Sequence, residues 1–122
     1  REGSMNTREK GAAYEQLAIN YLQGRGVAVL EHNYRNRRGE IDIIGKDGDY
    51  TVFIEVKYRK DSAAGQPAEA VTYGKQRKIC KVADYYRMMH QMGDFTPVRY
   101  DVVAICGAEI TWYQNAFEHI YS

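Results

Sequence analysis

The sequence predicts an α/β domain, a mixed β-sheet flanked by helices in the order αβββαββ. Three observations carry this. Two long segments, 6–23 and 68–91, place apolar residues at three- and four-residue spacing, the period of an amphipathic helix. Five short runs rich in Val, Ile, Phe and Tyr lie between and after them, bounded by Gly, Asn and Asp, as strands are. The length of 122 residues suits one ordinary domain.

Taken in order, the first helix opens where Asn6 and Glu9 fit a capping box. Its stripe is Tyr14, Leu17, Ala18, Tyr21 and Leu22, and Gly24 and Gly26 end it. Glu15 sits at the edge of that stripe, beside Ala18 and Leu22. A strand at 27–34 leads into a basic loop, Arg35-Asn36-Arg37-Arg38-Gly39. A second strand covers 40–44, turn residues fill 45–49, and a third strand runs over 51–58. Residues 60–66 form a polar flexible loop, and Pro67 suits the first turn of the second helix. Gly93 closes that helix, and strands at 98–106 and 110–113 complete the order.

Composition narrows the function. Hydrophobic residues make up 44% and charged residues 27%, with 17 Lys+Arg against 16 Asp+Glu. A net charge of +1 excludes a polybasic protein that binds nucleic acid by bulk charge alone. No run of about 18 apolar residues exists, so no membrane span is expected. The first residues lack a signal-peptide core, and Arg1-Glu2-Gly3-Ser4 reads as an expression scar before a natural start at Met5, leaving 5–122 as the single domain. Cys80 and Cys106 show no pairing pattern and no CxxC, which suits a reduced cytoplasmic protein. His32, His90 and His119 are dispersed, without ligand spacing. Phosphate-loop, dinucleotide and nucleophile-elbow motifs are absent, so no organic cofactor is expected.

The middle of the chain holds Gly-Glu-Ile-Asp-Ile-Ile at 39–44 and Phe-Ile-Glu-Val-Lys-Tyr-Arg at 53–59, with twelve residues between Asp42 and Glu55. Strand side chains alternate, so Glu40, Asp42 and Ile44 share one face, as do Phe53, Glu55 and Lys57. A hairpin loop of two or four residues pairs even positions with odd ones, and Asp42 then converges with Glu55. A three-residue loop without a bulge separates them. Opposed carboxylates destabilise a sheet by roughly 0.2–1 kcal/mol, so something must offset their repulsion. A divalent cation, Lys57 or an arginine could do so. With magnesium or manganese, the set fits metal-assisted hydrolysis. Without a metal, the same three residues reduce to an ion-pair network on a solvated strand face.

The pattern Asp42, twelve residues, Glu55-Val56-Lys57 resembles the PD-(D/E)xK nuclease signature, and the element order resembles that superfamily's restriction-endonuclease-like core. More of the chain is similar to the YraN-like family of bacterial proteins. The matching features are Glu15, Asn33 with Arg35, the two motifs above, Gly-Gln-Pro-Ala-Glu-Ala-Val at 65–71, Lys75, and Arg-Tyr-Asp-Val-Val at 99–103. That family resembles archaeal Holliday-junction resolvases in fold and motif. The resemblance implies a metal-dependent endonuclease on DNA, branched or damaged. Asp42, Glu55 and the backbone carbonyl of Val56 would be ligands of Mg2+ or Mn2+. Lys57 would orient the water, and Glu15 would lie near the metal, reaching it through water. A resolvase-like enzyme would act as a homodimer, because two nicks need two sites.

Phosphate contacts are expected from Arg35, Arg37, Arg38 and Arg59 flanking the motif, from Lys75 and Lys78 on one helix face, and from Gln66. Arg99 and Asp101 share a strand face and read as a structural pair. The alternative to a nuclease is a non-catalytic nucleic-acid-binding or adaptor module that keeps the fold.

Overall fold

The computed structural model describes residues 7–59 and 71–121. The elements are α1 (Thr7–Gly24), β1 (Ala28–Asn36), β2 (Gly39–Asp47), β3 (Tyr50–Arg59), α2 (Tyr73–Met89), β4 (Val98–Cys106) and β5 (Glu109–Phe117). The order αβββαββ therefore holds. The strands form one sheet in sequence order, β1-β2-β3-β4-β5. Every neighbouring pair is antiparallel except β3 and β4. A parallel pair needs a crossover, and the chain between β3 and β4 contains α2.

Each helix covers one face. Ala18, Ile19 and Leu22 of α1 pack with Ile43, Val52, Ile54, Val103 and Ile105. Ile79, Val82, Ala83 and Tyr86 of α2 pack with Ile44, Phe53, Tyr100 and Val102 on the other side. Alternation along β3 produces this division, with Val52 and Ile54 facing α1 and Phe53 facing α2. Among the described residues no helix is long and apolar enough to cross a membrane.

Several boundaries differ from the sequence reading. The basic loop shrinks to a two-residue turn at Arg37-Arg38, since Arg35 and Asn36 continue β1 and Gly39 opens β2. The second turn is only Gly48-Asp49, where Gly48 has φ 61. Gly45, read as a turn residue, is buried inside β2. A Cβ there would lie 2.8 Å from Val27 Cγ1 and 3.1 Å from the Ala28 carbonyl oxygen. Gly45→Ala is therefore expected to destabilise the fold by about 1–3 kcal/mol through overpacking. Urea melts of the two proteins check this, and equal midpoints would refute the close approach. The second helix starts at Tyr73, because the Thr72 side chain caps it by accepting from the Lys75 N–H. Pro67 and Gln66 lie outside the described residues.

Candidate active site

The two-residue turn sets the register. Ile43 pairs with Ile54 and Ile44 with Phe53, so the next positions along are Asp42 and Glu55. There the ladder changes. The Asp42 carboxylate itself accepts the Val56 N–H at 2.8 Å. On the other side of β2, Asn33 stands between the pairs His32↔Ile43 and Tyr34↔Ile41 with φ 54, a left-handed conformation. Ile41 and Ile44 share the α2-side core, while Ile43 faces α1. Strict alternation from Glu40 to Ile44 is thus broken at Asp42. The break turns Asp42 toward a cleft under α1, which Glu15 and Glu40 also line.

Asp42 and Glu55 lie close enough that each carboxyl group shifts the other's pKa. Glu55 is 6% exposed. Burial first, and the Asp42 charge second, push its pKa up to about 7 against the pull of Lys75 and Lys57. Asp42 is also raised by burial, opposed chiefly by the Val56 N–H. Glu55 therefore favours its protonated form up to near neutral pH.

Two lysines approach the pair. Lys57 Nζ lies 3.7 Å from Glu55 Oε2, and Lys75 Nζ, from the first turn of α2, lies 3.7 Å from the same oxygen. Sequence reasoning assigned Lys75 to a phosphate-tracking helix face; the fold instead brings its ammonium onto Glu55. Glu15 is buried, with His32 Nδ1 at 3.7 Å from Oε1. Burial and then Asp42 raise the Glu15 pKa to about 7.

The other expected contacts separate. Arg35 pairs with Glu40 at 3.0 Å, both partly exposed, and lines the cleft with it. Arg37 and Arg38 border a different groove of about 550 Å3, beside Tyr85 and Met88 of α2. Lys78 is exposed on α2 and Arg59 half-buried at the end of β3. Arg99 does pair with Asp101, at 2.9 Å. Sequence reasoning missed the stacked rings of Tyr14 and Tyr58, 4.1 Å apart. The sequence marks Tyr14 only as a member of the first helix's apolar stripe and Tyr58 only as the end of the third strand.

Among the described residues, no group of three or more His, Cys, Asp or Glu side chains is arranged to hold a metal ion. A cation here would rest on the two carboxylates Asp42 and Glu55, with Val56 beside them. That donor set fits magnesium, which takes one or two carboxylates and keeps water and substrate oxygens for the rest.

A mixed sheet with a buried acid on one strand and a half-buried acid on its neighbour, between helices on both faces, defines an α/β domain consistent with a restriction-endonuclease-like core. The chain belongs to the uncharacterised protein family UPF0102, the YraN family, which it matches over residues 14–105. It is 44% identical over 114 residues to a UPF0102 protein of Lachnoclostridium phytofermentans, covering 93% of this chain and 97% of that one. It is 44% identical over 115 residues to one of Clostridioides difficile, covering 93% of this chain and 100% of the relative. With one of Thermodesulfovibrio yellowstonii the identity is 47% over 109 residues, covering 89% and 96%.

Proposed function

We propose that this protein is a metal-dependent endonuclease that hydrolyses DNA phosphodiester bonds, with branched or damaged DNA as its substrate. One observation carries the reading. Two carboxyl groups from neighbouring strands are held together under burial that opposes their ionisation, with two ammonium groups within 4 Å of one of them. Such clusters of perturbed groups in a cleft mark reactive sites.

Asp42 and Glu55 would hold Mg2+ or Mn2+ with the carbonyl of Val56. The metal would supply an acidified water and a counter-charge for the phosphate oxygens. Lys57 points its ammonium at the same corner, where it can orient the attacking water and balance charge developing on phosphate. Lys75 neutralises Glu55 when the carboxyl loses its proton. The Val56 N–H fixes the Asp42 carboxylate against rotation.

The test is nicking of labelled four-way junctions and gapped duplexes with Mg2+ or Mn2+. Wild-type protein is expected to cleave, and Glu55→Gln and Lys57→Ala to lose cleavage while junction binding survives. Cleavage unchanged in both variants would overturn the assignment. Binding without cleavage by wild-type protein under either metal would instead make it a non-catalytic module.

A further inference from the structure

The cleft that reaches Asp42 has a volume of about 570 Å3, the size of a small-ligand pocket. Its lining is acidic within and aromatic on one wall. Glu15, Glu40 and Asp42 line it, and the Arg35 guanidinium beside them is already engaged by Glu40 at 3.0 Å. Arg8, which also lines the cleft, can meet a phosphate. The acidic part suits an uncharged group with donor edges, since carboxylates accept from exocyclic amino groups of bases.

The wall supplies a matching surface. Tyr58 of β3 lies parallel to Tyr14 of α1, with ring centroids 4.1 Å apart and planes 12° from parallel. Tyr14 is partly buried against the α1-side core. Tyr58 nonetheless keeps 41% of its surface exposed. One face of the Tyr58 ring is therefore held by its neighbour, and the side chain lines the cleft with surface left exposed. A ring held in place loses little freedom when a second aromatic system stacks on it.

The geometry points to an unpaired nucleotide of the substrate strand as the occupant, its base stacked on Tyr58 with its edge toward Glu15, and its phosphates toward Arg8 in the cleft lining. This rests on the proposed nuclease reading and narrows the substrate class to strands with a base outside the helical stack, as in a bulge, gap or flap. A base paired within a duplex presents its face only after extrusion, which costs a few kcal/mol that an unpaired base avoids.

The experiment uses duplexes carrying 2-aminopurine either unpaired in a single-nucleotide bulge or paired, with Mg2+ present. Fluorescence quenching, anisotropy and cleavage are read on the same samples. Wild-type protein and Tyr58→Phe are expected to quench the bulged probe and to bind it more tightly than the paired one. Tyr58→Ala is expected to bind the bulged probe about tenfold more weakly without quenching, and its thermal melt shows whether it has folded. Equal affinity for the two probes, no binding at all, or wild-type quenching by Tyr58→Ala would overturn the inference. Retained quenching without cleavage leaves the base pocket standing and removes the nuclease reading. Cleavage indifferent both to the bulge and to Tyr58 does the reverse.

Discussion

Asp101→Ala is expected to cost about 3–5 kcal/mol of stability, as the loss of one partner from a buried charged network does. Asp101 has no exposed surface. Its Oδ1 accepts from Arg99 Nε at 3.1 Å and from the Asn115 N–H at 2.8 Å. Its Oδ2 accepts from Arg99 Nη2 at 2.9 Å and from Trp112 Nε1 at 2.8 Å. Arg99 also donates to Asp47 at 2.9 Å, and its hydrogen bonds to Asp101 raise its pKa further above its ordinary value. Removing the carboxylate leaves an indole N–H and a strand N–H without their acceptors, and a guanidinium with one partner in place of two. The melting temperature should fall by about 10–20 °C for a domain of this size. A loss below about 1 kcal/mol in urea melts would show that the network contributes little net stability.

The second large effect concerns Glu55. Its pKa rises from 4.5 in an ordinary environment to about 7 in the fold. An acid raised in this way favours the folded state fully below its unfolded pKa, and the advantage disappears as pH climbs through the folded one. The protein without divalent metal should therefore lose stability between about pH 4.5 and 7, with Glu15 adding to the decline in the same window. Glu55→Gln removes the ionisation while keeping the shape. It should match wild type near pH 4 and gain on it by about 1–2 kcal/mol near pH 8, less whatever Lys57 and Lys75 lose with their partner. Magnesium should raise the wild-type midpoint at the higher pH and leave the variant unmoved. Urea melts across the range decide this, and parallel profiles for the two proteins would refute the buried-proton account.

Part of this site was legible in the residues. Parity alone brings Asp42 toward Glu55 once the turn has two residues, and Lys57 follows two places on. The element order follows from the change of hydrophobic period. Other features depend on the tertiary fold. Lys75 lies twenty residues beyond Glu55 and reaches it only because α2 begins over that end of β3. Asn33 leaves the ordinary strand conformation at one residue, which no periodicity reveals. Tyr14 and Tyr58 meet across the gap between a helix and a strand. β5 runs to Phe117 although Gln114 and Asn115 have little strand propensity. Its pairing to β4 carries it through a bulge at Tyr100/Val102, where the Asp101 side chain takes the Asn115 N–H.

The bond from Arg99 to Asp47 has a consequence at the other end of β2. It ties the second strand to the fourth, over the top of the third, at a point five residues beyond Asp42. A slip of β2 by one position would swap its inward and outward side chains and dismantle the acid pair. That slip would also tear the guanidinium from its carboxylate. Arg99 thus acts as an indexing pin: it stands apart from the acid pair, yet it holds the two acids in step.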